Sequence, residues 1–301
     1  MKTFIKVTEI WGPTQNRAQL VLANGIYGML NDFKSTSEQT CFEYGQGLPG
    51  KAWEESRPIV ITDLAHSCFQ RTEAATLAGL TSAIAIPVFS GEYLMSVIVF
   101  LCGDDEEHAG AIEVWANDAD RSNELGIIEG YYGKLDYFDF ISRKTKIMKG
   151  FGLPGQVWEQ GLPVLMADLG ASESFIRGRD AKNAGITTAL GIPLIDNDDQ
   201  VCLLTFLSAK ATPIARQIEI WLLDHSSERL VFKEGFSEKG INLAEIYASK
   251  TIAKGQEIIG RVWLTGIPVI VDKYDVEESI ATLMMPVINQ GKLIAVIVFC
   301  L

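Results

Sequence analysis

Asp63, His66 and Cys68 stand close together in Asp63-Leu-Ala-His66-Ser-Cys68, and Arg71 follows three residues later. An acid, an imidazole and a thiol are the groups of an activated nucleophile or a metal centre. A second stretch of the same outline, Asp168-Leu-Gly-Ala171-Ser-Glu173 with Arg177 beyond it, keeps the acid and the arginine but neither His nor Cys. That loss favours reading His66 as a loop histidine and Cys68 as a half-buried thiol. Arg71 and Arg177 each follow an aromatic residue, Phe69 or Phe175, by two positions. A planar guanidinium with five donors suits a carboxylate or phosphate ligand. The competing reading pairs these arginines with Asp63 and Asp168 and pins a helix to a sheet. Both aspartates close a short apolar run, where a carboxylate caps the next helix. The candidate ligand-binding set is therefore Asp63, Phe69, Arg71, Asp168, Phe175 and Arg177, with no catalytic or metal-ligating residue assigned. His108 and His225 lie in unlike surroundings and make no metal cluster with His66. The acidic runs at 104–107 and 196–199 read as solvated turns, since they lack the alternating oxygens and distal glutamate of a calcium loop.

These residues sit inside a repeat that must position them. GLPGKAW at 47–53, GLPGQVW at 152–158 and EIIGRVW at 257–263 align without strain. Trp53, Trp158 and Trp263 recur every 105 residues, as do Gly50, Gly155 and Gly260, and Pro58, Pro163 and Pro268. TEIW at 8–11, IEVW at 112–115 and IEIW at 218–221 open the units. Very apolar strands, LMSVIVFLC, VCLLTFLSA and LIAVIVFCL, close them. The units fall near 1–104, 105–210 and 211–301, with formal charges of −3, −7 and −2. The three recurrent tryptophans read as core, because they persist in the third unit, which is shortened elsewhere. The GLPG turns lack the G-K-[ST] of a phosphate loop. Their glycines instead serve positive φ and close packing.

Within the first unit, alternation over 4–11 and again over 18–24 predicts two strands, with a stop at Gly12-Pro13. The stretch 25–40 is a loop with a short helix, and 40–44 a third strand. Pro49 to Ser56 reads as a short helix, Pro58 to Thr62 as an edge strand, and Ser67 to Ala78 as an amphipathic helix ended by Gly79. Strands over 81–88 and 93–101 complete a unit whose short turns favour an antiparallel sheet with helices on one face.

GLPGKAWEESRPIVITDL, then Phe69-Gln70-Arg71, Ala78-Gly79-Leu80 and Ala85-Ile86-Pro87, resembles the GAF family of small sensory domains. The second unit repeats the series through Phe175-Ile176-Arg177, Ala184-Gly185-Ile186 and Gly191-Ile192-Pro193. The resemblance implies an α+β fold of three tandem GAF-like units, the third degenerate. It implies a small-molecule cavity walled by the F-x-R helix. Three departures stand out. Pro268 to Pro286 spans 18 residues against 29 and 30 in the other units, so the third unit loses that helix. The stretch from Ala209 to Ile218 has no room for the long terminal helices usual in the family. No kinase, cyclase, helix-turn-helix or other output segment is read anywhere in the sequence. The Cys-His dipeptide of bilin-binding members is absent. So is the cysteine turn of the free methionine sulfoxide reductases, where Pro49 and Pro154 stand instead.

The chain has 301 residues, 48% apolar and 21% charged, and a formal charge of −12. That balance excludes general disorder and disfavours a phosphate-binding surface for nucleic acid. No run of about 18 apolar residues crosses a membrane. The N-terminus lacks a signal-peptide core, and five scattered cysteines form no disulfide framework, so the expected compartment is a reducing cytoplasm. The sequence thus predicts a non-catalytic sensing or scaffold protein of signal transduction, without cofactor, that takes an unknown small molecule and a signalling partner or a second copy of itself. Two alternatives remain: an enzyme using Asp63, His66, Cys68 and Arg71, and a ligand-free interaction module. Without terminal helices, one sheet face of each unit needs cover, so neighbouring units or a second chain must bury it and make the three units one rigid body.

Overall fold

A computed structural model describes residues 5–103, 110–117, 124–196, 200–272 and 281–301. His108, the acidic run at 104–107 and most of that at 196–199 lie outside them, as does most of the stretch that replaces the F-x-R helix in the third unit.

The first unit builds β1 (Val7–Pro13), β2 (Gln19–Ile26), α1 (Asn31–Glu38), β3 (Cys41–Glu43), α2 (Gly47–Glu55), β4 (Ile59–Ile61), α3 (Thr72–Leu77), β5 (Ser82–Ser90) and β6 (Tyr93–Cys102). The second repeats it with β7 (Gly110–Asn117), β8 (Glu124–Tyr131), α4 (Asp136–Lys144), β9 (Ile147–Met148), α5 (Gly152–Gln160), β10 (Val164–Met166), α6 (Gly178–Asn183), β11 (Ile186–Asp196) and β12 (Val201–Ala209). The third has β13 (Gln217–Asp224), β14 (Arg229–Ser237), α7 (Leu243–Tyr247), β15 (Thr251–Ile252), α8 (Glu257–Thr265), β16 (Val269–Val271), β17 (Thr282–Asn289) and β18 (Lys292–Cys300). The fold is α+β, three six-stranded sheets in one order: β3-β2-β1-β6-β5-β4 and its two counterparts, with every pairing antiparallel. The predicted strands stand. The helix expected over 67–78 shrinks to Thr72–Leu77, and β1 runs on through Gly12-Pro13.

The GLPG turn shows why a glycine recurs. A Cβ on Gly50, Gly155 or Gly260 would lie 2.1, 2.2 or 2.3 Å from the carbonyl oxygen of Glu43, Met148 or Ala253. The helix can reach the third strand of its sheet only without a side chain there. Gly47 and Gly152 also take φ near +59° and +58°, and Glu257 holds the same left-handed conformation at +51° in the third unit.

Each sheet is buried on both faces. One face carries the helices over a core of its own unit, as where Phe33, Leu48 and Ala75 meet Val7, Trp11 and Val99. The opposite faces of all three sheets meet in one shared core that includes Ile10, Ile98, Val114, Leu204, Ile220 and Ile297. At its centre Phe100, Phe206 and Phe299 form a triangle, with ring centroids 5.7, 6.5 and 6.4 Å apart in edge-on contact. The sheet faces that do not carry the helices are thus covered by neighbouring units.

The edges close into a ring. β4 lies against β8, β10 against β14, and β16 against β2. Glu129 accepts from the Val60 N–H at 2.6 Å, Glu234 accepts from the Leu165 N–H at 3.2 Å, and Asn24 donates to the Ile270 carbonyl at 3.2 Å. Residues 24, 129 and 234 are 105 apart, as are 60, 165 and 270. One repeated side-chain position therefore satisfies the open backbone of the preceding unit's edge strand, the third unit counting as the one before the first. Such head-to-tail contacts, closed after three steps, leave no free end.

Phe206→Ala should remove a corner of the triangle and cost about 3–5 kcal/mol. Scanning calorimetry should show one shifted transition for the whole chain, whereas a shift of one transition among several would show that the units unfold separately.

Candidate functional site

The two arginines singled out in the sequence are buried, each 4% exposed. They pair with neither Asp63 nor Asp168. Arg71 forms a bidentate salt bridge with Glu9, Nη1 to Oε1 at 2.5 Å and Nη2 to Oε2 at 2.8 Å. Arg177 does the same with Glu113 at 2.5 and 2.8 Å. The glutamates belong to the TEIW and IEVW strands. Because side chains alternate along a strand, Glu9 faces the same side as Val7 and Trp11, beneath the helices. The arginines come from the turn before α3 and α6, so helix and first strand are joined through the middle of the unit.

Every oxygen of these carboxylates is used. Trp11 Nε1 donates to Glu9 at 2.9 Å, the Tyr27 hydroxyl at 3.0 Å and the Ser37 hydroxyl at 2.9 Å. Glu113 accepts from Trp115 at 3.0 Å, Tyr132 at 3.0 Å and Thr205 at 2.9 Å. Ser37 and Ser142 also accept from the arginines. Aromatic rings enclose each guanidinium. Phe33, Trp11 and Phe69 have centroids 4.8, 5.1 and 5.1 Å from Arg71 Cζ. Phe138, Trp115 and Phe175 stand 5.0, 5.3 and 5.4 Å from Arg177. Phe69 and Phe175 are thus lids on their own arginines. The centre of each of the first two units, between sheet and F-x-R turn, is filled by the chain's own ion pair.

Burial works against the Glu113 charge, but the Arg177 guanidinium and the hydrogen bonds from Arg177, Thr205 and Tyr132 outweigh it and hold the carboxyl below its ordinary range. Burial and then Glu113 push the Tyr132 hydroxyl up, so it stays a donor. The third unit differs. Glu219 occupies the same strand position, fully buried, with donors from Gln217 at 2.7 Å, Trp221 at 2.8 Å and Tyr247 at 3.0 Å. Tyr247 stands where Ser37 and Ser142 stand, 105 residues beyond Ser142. The residues from 272 to 282 contain no arginine. Burial therefore dominates and lifts the Glu219 carboxyl above its ordinary range despite those three donors.

Asp63 and Asp168 are exposed and stay apart from the arginines. Asp63 accepts from the Ala65 N–H at 3.0 Å and binds the His66 ring at 2.8 Å, an exposed turn. The hydrogen bond from His66 holds the Asp63 carboxyl below its ordinary range. Asp168 has φ +50° and turns the chain, its carbonyl accepting from Ala171 at 2.8 Å. Cys41 and Cys68 are exposed; Cys102, Cys202 and Cys300 are buried. Burial pushes the Cys202 and Cys300 thiols up to about 12. Among the described residues no group of His, Cys, Asp and Glu is placed to hold a metal ion. Trp53, Trp158 and Trp263 are only half-buried at the edge of their cores, and the fully buried tryptophans are Trp11, Trp115 and Trp221. Glu9, Glu113 and Glu219 were legible as the second letter of a thrice-repeated motif in an apolar strand.

A larger space lies between the units. A half-open cavity of about 460 Å³ sits at the end of the shared core, lined by the Pro58, Pro87, Pro193 and Pro286 rings and by the hairpin tips of the first and third units.

No family model matches the chain, and no curated protein is similar to it. Solved structures are similar over about a third of it. The GAF domain of A. aeolicus nlh2 in an inactive state is 22% identical over 34% of this chain and 61% of its own, with a TM-score of 0.27. The GAF domain of an Acinetobacter phosphoenolpyruvate-protein phosphotransferase is 14% identical over 33% and 54%, with a TM-score of 0.25. A free methionine-R-sulfoxide reductase of Neisseria meningitidis is 20% identical over 33% and 52%, with a TM-score of 0.26. This chain thus spans a little over half the length of these structures.

Glu113→Gln should leave Arg177 buried without its counter-charge and cost about 3–5 kcal/mol. Glu219→Gln at neutral pH should cost little or stabilise, because among the described residues no cation forms an ion pair with Glu219. Denaturant titration of the two variants distinguishes them; equal losses would show that both glutamates are held alike.

The pH dependence follows with opposite signs. Stability from Glu113, whose carboxyl is lowered in the fold, is present above its unfolded range and is lost as pH falls through the folded value. Stability from Glu219, whose carboxyl is raised, is present at low pH and is lost as pH rises through the folded value. Unfolding titrations between about pH 3 and 8 should show Glu219→Gln flattening the high-pH fall and Glu113→Gln flattening the low-pH fall. Unchanged profiles would overturn both assignments.

Proposed function

We propose that the chain is a non-catalytic binding scaffold, a small-molecule sensor or assembly platform made of three GAF-like units at about 1–104, 105–210 and 211–301. One observation carries this reading. The interiors of the first two units are occupied by Arg71–Glu9 and Arg177–Glu113, while the sheets share one core. A pair so enclosed fixes a shape, and the Arg71 Nε that has no partner is itself buried. A small molecule, a signalling partner or a second copy would then be met on surfaces between units. We place the protein in the cytoplasm, with no nucleic acid or membrane among its partners. No helix among the described residues is long and apolar enough to cross a membrane.

The second reading puts an enzyme in the first unit at Asp63, His66, Cys68 and Arg71. What weighs against it is their dispersal: Arg71 is committed to Glu9, while the His66–Asp63 turn and Cys68 stand in solvent. Among the similar structures the Neisseria protein is a reductase, which keeps this reading worth testing.

Cys68→Ser and His66→Ala should leave the melting temperature and any co-purifying ligand, read by native mass spectrometry, unchanged. A turnover lost in either variant at an unchanged melting temperature would install the enzyme reading instead.

A further inference from the structure

The geometry points to the cavity between the three units as a binding site for a small amphipathic amine, a ring-sized apolar body carrying a protonated nitrogen. The inference rests on the scaffold reading and names the ligand class.

Its position follows from one feature built three times. The edge ladder of each unit stops at Ile59–Ala85, Val164–Gly191 and Val269–Met284. Two residues further along the inner strand stands Pro87, Pro193 or Pro286. Proline has no N–H to continue the ladder, so pairing ends and the pyrrolidine rings turn a sheet edge into a wall. All three rings line the cavity, with Val88, Leu194 and Val287 following them. Gly91 and Gly291, both at positive φ, bring two hairpin tips together, a Cβ on Gly291 lying 3.5 Å from the Gly91 nitrogen. A volume of about 460 Å³ lies within the range of small-molecule sites.

The charge of the wall selects the ligand. Arg57 is the cation of the lining, and it donates to Glu55, to Glu129 at 2.5 Å and to the Pro58 carbonyl at 3.2 Å. Burial works against its charge, but the two glutamates hold the guanidinium above its ordinary range. The lining itself holds Arg57 and Glu92, and just behind it Glu55 and Glu129 hold Arg57 while Lys51 lies 3.5 Å from Glu55, so three carboxylates face two cations and the charge at and behind the wall is net negative. The prolines contribute no donors. A carboxylate ligand would meet like charge and a cation already held by two carboxylates, whereas an ammonium group meets Glu92, and a ring stacks on pyrrolidine and aliphatic surface.

Three probes of one shape separate the terms: tryptamine, neutral 3-ethylindole and indole-3-propionate. Calorimetric titration of the full chain should rank them in that order. Leu194→Trp, which fills the cavity from the second unit, should weaken tryptamine at least about tenfold with an unchanged melting temperature. Ile288→Trp fills it from the third unit, should Leu194→Trp fail to fold. Glu92→Gln should weaken tryptamine about two- to fivefold and leave 3-ethylindole unchanged. The inference is overturned if indole-3-propionate binds as tightly as tryptamine. It is equally overturned if the filling variants bind as the native chain does, or if no probe binds up to about 10 mM. In any of those cases, a different molecule released on denaturing the purified protein would leave the scaffold reading standing.

Discussion

The first strand of each unit serves two cores at once. In β1, Val7, Glu9 and Trp11 look into the layer beneath the helices, and Ile10 looks into the core shared by the three sheets. Neither face meets water, so every side chain on the strand needs a partner on its own side. The apolar ones find it in packing. The glutamate finds it only if the chain brings a cation and several donors to the same point. That requirement ties the helical layer to the sheet. The F-x-R turn, the α1 serine and Tyr27, just after β2, converge in the first unit because the carboxyl of Glu9 must be satisfied there. A buried ion pair adds little net stability over a well-packed apolar replacement, yet removing one partner is costly. Its effect here is to fix which turn sits over which strand.

The third unit shows what the requirement costs when the cation is gone. Glu219 keeps its strand position and its tryptophan, but the arginine-bearing turn has no counterpart in sequence. Tyr247 takes over the serine position and reaches the carboxyl with its hydroxyl, while its ring packs on Trp221 at 5.1 Å. Lys250 lies 5.9 Å from the Trp221 ring but is salt-bridged to Glu257 at 3.1 Å. Hydrogen bonds thus replace a charge pair, and they compensate the carboxylate only in part, which is why its proton is held more firmly than that of Glu113. The same strand position therefore titrates in opposite directions in two units of one chain.

The repeat and nearly every element of the first unit were readable from period and punctuation. GLPG marked the helix–strand approach, alternation marked β1 and β2, and prolines marked the edge strands. The partner of each arginine was not readable by the route first taken. Asp63 and Asp168 lie near Arg71 and Arg177 in sequence, whereas Glu9 and Glu113 lie far from them. Local spacing favours the near acid, and only the strand's alternation shows that the far one points inward. Trp53 misled for a related reason. It recurs at a fixed interval because it closes the end of a core, whereas Trp11, which recurs at 104 and 106, sits at the centre. Recurrence marks a structural need without stating its depth.

Closure of the ring follows from the three sheets turning one face each into a shared core. Three sheets facing one core leave each a short edge strand pointing at the next unit, an open row of backbone groups that invites pairing with anything extended. Pairing with the neighbour's sheet would fuse the units into one continuous sheet and pull their faces off the shared core. A side chain at 24, 129 and 234 prevents this by binding a single group of the edge residue, at the carbonyl in one case and the N–H in two. The asymmetry follows position in the chain. The two contacts made by Glu129 and Glu234 join units consecutive in sequence, and Glu129 also holds Arg57 of the preceding unit. The third contact joins the end of the chain back to its beginning, and there neutral Asn24 makes a single hydrogen bond. A closed ring of fixed size needs its last joint to fit once the first two are set, and a short amide donor can seat there without burying a charge. The triangle of Phe100, Phe206 and Phe299 then depends on all three joints together, because no ring can keep its two neighbours if one sheet swings away.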